Sequence, residues 1–230
     1  MKNKKLLSYK DVIGLEIDYI KKLYSKYINP GQVNQIGTFS FGNDLVIKSE
    51  GILLYTKKGK VIKDFTGGIG VLNHGHNHSR ILDIRKTYSE AKRPEVHKNF
   101  FSPYLAAISY NIAQLFDEKL THSYFCNSGS ESVEGACKMA YKYYEGKRNT
   151  IMASNISFHG KLYMSGGISN SPEVPFKWPF PGNKVQFEYN SIDNFEKIFL
   201  ENKSDLYAVI VEPFNASSVT IATEKFLLKI

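Results

Sequence analysis

Cys126-Asn127-Ser128-Gly129-Ser130-Glu131-Ser132-Val133-Glu134 joins two different sequence rhythms. Upstream, His122 to Cys126 reads as a short strand and Asn127 to Ser130 as a tight loop. Downstream, Glu131 to Tyr144 reads as a helix that turns Val133, Cys137, Ala140 and Tyr144 inward, one face of a helical repeat. Thr150 to Ala153 is the next strand. Strand, loop, helix and strand in this order make a βαβ unit, and such units build parallel sheets. Leu206 to Val211 is the purest apolar run and reads as a further buried strand, closed by Glu212-Pro213.

The loop has a chemistry of its own. Ser128-Gly129-Ser130 is expected to leave the carboxyl end of a parallel strand and open a helix. Backbone N–H groups at a helix start are unpaired and carry partial positive charge. Gly129 lets the backbone approach a bulky anion, the hydroxyls add donors, and a phosphate is the natural guest. The plainer alternative is that Ser128 or Ser130 only caps the helix. No Gly-Lys-Ser/Thr pattern follows, which excludes an ordinary nucleoside triphosphatase loop, and the three spaced glycines of a dinucleotide site are absent here.

Working outward, Ile13, Ile17, Ile20, Tyr24 and Tyr27 predict one helical face over residues 11–28, stopped by Asn29-Pro30-Gly31. A polar stretch runs on to about Asn43. Leu45 to Ile47, Ile52 to Tyr55 and Val61 to Phe65 read as a small meander turning at Lys58-Gly59-Lys60. Gly67, Gly68 and Gly70 mark a close-packed segment. Ser102-Pro103 is a helix start, with Leu105, Ile108, Ile112 and Leu115 on its apolar face. Residues 170–183 carry four Pro and read as an irregular loop, and helices are expected over Ile192 to Glu201 and Glu224 to Ile230.

Composition narrows the function classes. At 230 residues, 42% hydrophobic and 23% charged, the chain can bury a core without staples, and wholesale disorder is excluded. The net charge of +8 is half contributed before Tyr27, by Lys alone, with no Arg-bearing stripe, so no nucleic-acid partner is expected. No apolar run suits a bilayer or a secretory leader, and Cys126 and Cys137 read as two reduced thiols. A cytoplasmic location is the expectation. His74, His76 and His78 alternate, but among Gly and Asn they read as a loop rather than a zinc site, and no metal is expected.

The Cys126 to Glu134 segment, with Ala136-Cys137-Lys138-Met139-Ala140, resembles the phosphate-binding segment of the class III pyridoxal-phosphate-dependent aminotransferases, which include ornithine, acetylornithine, 4-aminobutyrate and putrescine aminotransferases. Three further stretches are similar in the right order. Gly67-Gly68-Ile69-Gly70-Val71-Leu72-Asn73-His74-Gly75-His76 resembles the family's N-terminal glycine-rich segment. Ser157-Phe158-His159-Gly160-Lys161 resembles its cofactor-stacking motif, and Val209-Ile210-Val211-Glu212-Pro213 the strand end that reaches the site. The likeness runs from about residue 45 to the C-terminus, and Tyr27-Ile28-Asn29-Pro30-Gly31 resembles the putrescine-type branch.

The resemblance implies an α/β protein with the PLP-dependent transferase fold (aspartate aminotransferase-like). The expected division is an N-terminal helix and small-domain segment over residues 1–100, and the first part of a large, mostly parallel-sheet domain over 101–230, incomplete here. It implies an amino-group transfer from an amine or amino acid to a 2-oxo acid, and a homodimer when full length. The residues implied to hold pyridoxal 5′-phosphate are Ser128, Gly129, Ser130, Phe158, His159, Gly160 and Glu212. Gly129 and Ser130 would take the phosphate, Phe158 would stack on the ring, His159-Gly160 would wall it and Glu212 would lie beside it. Glu131 and Glu134, near the start of the helix, suit its dipole and are read as structural.

Two departures limit the likeness. The acid expected near Ser217 is missing from Phe214-Asn215-Ala216-Ser217-Ser218, which puts ornithine- and aminobutyrate-type specificity in doubt. The Lys that forms the Schiff base, and the acid for the pyridine nitrogen, are expected outside this chain, because neither Lys138 nor Lys161 has a context that would activate it. On that expectation the chain alone is inactive. A glutamate-semialdehyde-type aminomutase shares the scaffold, and a non-catalytic remnant or interaction subunit is the alternative outside the enzymes.

Overall fold

Ser8, Asn29, Ser102, Ser128 and Thr223 each begin a helix for one reason: a short polar side chain accepts a hydrogen bond from an otherwise orphaned backbone N–H of the first turn. Such a cap contributes about 1 kcal/mol. Ser8 goes further. Its Oγ accepts from Asp11 N, while the Asp11 carboxylate accepts from Ser8 N at 2.8 Å, a reciprocal capping box. The computed structural model describes residues 6–95, 99–171 and 180–230. It divides into two compact units, Met1–His97 and Lys98–Ile230.

In the first unit, α1 (Tyr9–Ile13) and α2 (Ile17–Tyr27) are separate helices, because Gly14 ends the first. The single helix expected over residues 11–28 is therefore corrected. Asn29-Pro30-Gly31 does not simply stop a helix either. Asn29 Oδ1 accepts from Gly31 N at 2.8 Å, Pro30 occupies the first turn, where its missing N–H costs nothing, and α3 (Pro30–Gly37) follows in place of a polar stretch. β1 (Val46–Glu50), β2 (Leu53–Thr56) and β3 (Val61–Lys63) form an antiparallel sheet in the order β1-β2-β3, as the meander reading requires. Beyond it, α4 (Gly67–Gly70) is a single turn with left-handed backbone at Gly68 and Ile69, and α5 (Ser79–Glu90) closes the unit.

The second unit is built on a parallel sheet of order β5-β4-β6, from β4 (Thr150–Ser154), β5 (Asn183–Phe187) and β6 (Leu206–Ile210). β4 lies between its two neighbours and is buried along its length. Its alternating side chains serve opposite faces. Met152 packs with Phe187, Tyr189, Phe195, Leu206, Ala222 and Phe226, under α9 (Ile192–Asn202) and α10 (Glu224–Lys229). Ile151 packs with Cys137, Ile168 and Tyr207, under α7 (Gly129–Tyr143) and α8 (Tyr163–Ile168). Among the described residues every buried hydrophobic side chain belongs to this unit. α6 (Pro103–Leu115) precedes this core, and a hairpin of β7 (Phe214–Asn215) with β8 (Thr220–Ile221) follows β6.

The inward face expected for the helix after the loop is the observed one: Cys137 is buried, and Val133, Ala140 and Tyr144 pack beside it. His122 to Cys126 is corrected: it forms no strand and pairs with none of β4, β5 and β6. The ring of Tyr124 lies instead over Gly135 of α7, where an added Cβ would come within 2.9 Å of it. β5 and the β7–β8 hairpin went unrecognised in the sequence, and Asn183 belongs to β5 rather than to the irregular loop. Most of that loop, residues 172–179, lies outside the described residues.

Candidate functional site

The carboxyl ends of the parallel strands converge on Glu212. Phe158, in the loop after β4, donates its backbone N–H to Glu212 Oε2 at 2.8 Å. Tyr189, just beyond β5, donates its hydroxyl to the Glu212 carbonyl at 2.7 Å. Asn215, at the start of the hairpin after β6, donates Nδ2 to the same Oε2 at 2.7 Å. In open α/β sheets this end of the strands is where ligands sit.

The start of α7 meets the same loop. Ser128 Oγ accepts from Glu131 N at 3.2 Å, so Ser128 is the cap, and Ser132 N reaches Ser128 O at 3.1 Å. The N–H groups of Gly129 and Ser130 have no acceptor among the described residues. A Cβ built on Gly129 would meet nothing within 4 Å, so space stands open against this turn. Ser130 Oγ accepts from Lys161 N at 3.4 Å, and Gly160, at φ +128°, lies so close that a Cβ there would sit 2.3 Å from Ser130 Oγ. Ser128, Gly129, Ser130, Phe158, His159, Gly160 and Glu212 thus form one connected cluster within the second unit.

The carboxylates of the helix are tied down. Glu131 Oε2 accepts from Asn127 N at 2.7 Å, and Glu134 Oε1 accepts from Ser165 N at 2.7 Å. Phe158 is half-buried and belongs to neither apolar cluster; the Lys161 ammonium lies 5.9 Å from its ring centre. His159 is buried, its backbone N–H donating to Ser169 Oγ at 2.8 Å. Burial pushes its imidazole below the usual histidine range, with the Lys184 charge adding and the Glu212 charge opposing. Nε2 of this ring is buried with no hydrogen-bond partner among the described residues. Tyr189 is pushed up by burial first and then by the Glu212 charge.

Sequence reasoning missed Tyr189, Asn215, Ser165 and Ser169. Tyr189 was findable in principle, since Val185 and Phe187 alternate just before it; the others show only once the loops meet. In the other unit, the alternating histidines do not converge: His76 Nε2 bonds Asp64 Oδ2 at 2.9 Å, while the His74 and His78 rings meet edge to face. Among the described residues no group of three His, Cys, Asp or Glu side chains could hold a metal ion, and no helix is long and apolar enough to cross a membrane.

Parallel strands whose carboxyl ends meet at a fixed carboxylate, beside a capped helix start with two N–H groups that have no acceptor among the described residues, define an α/β site. The aminotransferase class-III family model matches residues 42–230, and the chain belongs to that family. Class III aminotransferases depend on pyridoxal phosphate. Among solved structures the chain is similar to the ornithine aminotransferase of Toxoplasma gondii ME49 (18% identity, TM-score 0.75), covering 99% of this chain and 53% of that one. It is also similar to the taurine:2-oxoglutarate aminotransferase of Bifidobacterium kashiwanohense, solved with PLP and glutamate (18% identity, TM-score 0.76, 94% and 52% covered). A third similar structure is the acetylornithine aminotransferase of Elizabethkingia anophelis (24% identity, TM-score 0.67, 93% and 51% covered). The chain spans about half the length of each.

Proposed function

We propose that this chain supplies the phosphate-anchoring and ring-facing part of a pyridoxal-phosphate site, and that its protein moves an amino group from an amine or amino acid to a 2-oxo acid. The observation that carries the reading is the joining of two motifs: the turn whose N–H groups at Gly129 and Ser130 have no acceptor among the described residues meets, through the Ser130 side chain, the Phe158-His159-Gly160 loop that Glu212 holds. The open space at Gly129 fits an anion, and the half-buried ring of Phe158 fits a flat partner.

In this reading the Gly129 and Ser130 N–H groups bind the phosphate, with the Ser130 hydroxyl, which accepts from Lys161 N, adding its own O–H as a donor. Ser128 shapes the turn, since its hydroxyl is committed to the cap. Phe158 stacks on the ring, Gly160 keeps the wall thin, and neutral His159 together with Glu212 lines the side of the ring. Bound pyridoxal phosphate supplies an electron sink for carbanion chemistry at the substrate amine carbon. We place the Lys that holds the cofactor covalently, and the acid for its ring nitrogen, outside these residues: Lys138 and Lys161 are both exposed. We read the working protein as a cytoplasmic homodimer, supported by the apolar side chains of Tyr104, Leu105, Ile108 and Tyr110 that α6 leaves exposed. The hairpin at Phe214 to Ile221 carries no acid, which keeps a glutamate-semialdehyde-type aminomutase as the second reading.

Equilibrium dialysis of the chain with pyridoxal phosphate tests the site. Saturable binding, competed by inorganic phosphate and not fixed to protein by borohydride, is expected. No binding would overturn the reading, and a borohydride-fixed Lys would overturn the placement of the Schiff base. Assay of the full-length protein with amine donors and 2-oxoglutarate separates aminotransferase from aminomutase.

A further inference from the structure

We propose that Asn215 is a positioning residue: by pinning the Glu212 carboxylate it fixes the backbone of Phe158 and so the ring that the site offers. The anchoring of Phe158 stands on geometry alone; its bearing on the cofactor rests on the reading above.

Asn215 is 1% exposed, and its amide can face only one way. Ser218 donates to Asn215 Oδ1 twice, from its backbone N–H at 2.9 Å and its Oγ at 2.8 Å. A backbone N–H can only donate, so Oδ1 must face Ser218 and Nδ2 must face Glu212. There Nδ2 reaches Glu212 Oε2 at 2.7 Å, the same oxygen that receives Phe158 N at 2.8 Å. No ion pair holds Glu212 among the described residues, so these two N–H donors set where its carboxylate lies. Tyr189 fixes only the Glu212 backbone, through its carbonyl. The ring of Phe158 therefore hangs on a chain of contacts running from the β7–β8 turn through Asn215 and Glu212.

An aspartate at 215 makes a sharp test. It can still accept from Ser218, but it sets an anionic oxygen against Glu212 Oε2 where a donor stood. Asn190→Ala is the comparison: Asn190 holds the far side of the hairpin, donating to Ile221 O at 3.0 Å and accepting from Thr223 N at 2.9 Å, without touching Glu212. Amide hydrogen exchange of the whole chain should show Phe158 N–H exchanging about tenfold faster in Asn215→Asp, the scale of one lost hydrogen bond. The Ile151 and Met152 amides of β4 should hold, which also reports that the variant folds; Asn215→Ala serves if it does not. Unchanged Phe158 exchange in the 215 variants, or an equal rise in Asn190→Ala, would overturn the proposal. In parallel, pyridoxal phosphate should bind more weakly to Asn215→Asp while inorganic phosphate binds as before, since the cradle at Gly129 is untouched. A wild-type chain that binds no pyridoxal phosphate would sink the cofactor reading and leave the exchange result to decide the role of Asn215.

Discussion

Gly160→Ala is the single methyl group with the most to break. At φ +128° the backbone of residue 160 lies where L side chains rarely go, a cost of about 1–3 kcal/mol. The new Cβ would also stand 2.3 Å from Ser130 Oγ, 2.8 Å from Ser130 Cβ and 2.9 Å from Ser165 Oγ. Rotating Ser130 relieves only the first contact, because its Cβ is fixed by the α7 backbone. Ser165 is buried, its backbone is held by Glu134, and moving its Oγ gives up the bond it accepts from Leu162 N. Overpacking of this kind costs a further ~1–3 kcal/mol. The total is roughly 2–6 kcal/mol, a large part of the ~5–15 kcal/mol that ordinarily holds a domain. Urea unfolding followed through the second unit should show a lower midpoint at unchanged slope. Adding Ser130→Ala should recover only part of the loss. Gly129→Ala is the opposite case: nothing lies within 4 Å of its Cβ, so stability should hold or rise by ~0.4–1 kcal/mol while inorganic phosphate affinity falls. A Gly160→Ala protein within about 0.5 kcal/mol of wild type would refute the packing argument, since that is the range of inert surface changes.

Ser128→Ala should cost about 1 kcal/mol of thermal stability through loss of the cap alone. His159 adds a pH dependence. Its imidazole is held below the ordinary value of 6.5, so the folded chain resists a proton that the unfolded chain takes up. That contribution is full above the ordinary value and is lost as pH falls through it toward the lowered folded value. Wild type should therefore lose more melting temperature than His159→Gln between about pH 7.5 and about pH 5.5, and parallel losses would refute the assignment. Burial raises the Cys137 thiol to about 11, with the Glu134 charge adding, whereas Cys126 is only half-buried. A disulfide reagent at neutral pH should thus label Cys126 in the folded chain and Cys137 only after denaturation.

What the sequence made legible was local or periodic. The inward face of α7 follows from four residues at helical spacing, and β4 from an apolar run that a doubly covered parallel sheet demands; β6 is a strand as expected, but it is buried only at Leu206 and Tyr207, and Val209 is exposed. The meander of the first unit followed from its turn residues. What stayed hidden depended on partners. His122 to Cys126 has strand-like residues but joins no sheet, and Tyr124 packs on Gly135 of α7 instead. Asn29-Pro30-Gly31 has the same composition whether it ends one helix or begins another, and only the Asn29 bond to Gly31 N distinguishes them. Of the site, the phosphate loop and the Phe158 loop were visible as motifs. The roles of Tyr189 and Glu134 were not, because each bonds backbone that is distant in sequence, and that of Asn215 was not, because it shows only through Glu212, whose carboxylate receives the distant Phe158 N–H.

The cap and the anion site proposed at the start of α7 are complementary rather than rival uses of one turn. A helix start leaves its first few N–H groups unpaired. Here Ser128 Oγ takes the one at Glu131, and the Glu131 carboxylate turns back to the Asn127 N–H. The donors left over are those of Gly129 and Ser130, the residues with open space and a hydroxyl beside them. Capping thus fixes the turn without using the N–H groups proposed to bind an anion. The two glutamates that a phosphate would otherwise meet as bare charges each already accept a backbone N–H, Glu131 from Asn127 and Glu134 from Ser165. The second of those bonds also ties α7 to the start of α8, just beyond the loop that carries Phe158. The helix proposed to receive the phosphate and the loop proposed to present the ring are therefore held to each other by the acid that a sequence reading would assign to the helix dipole alone.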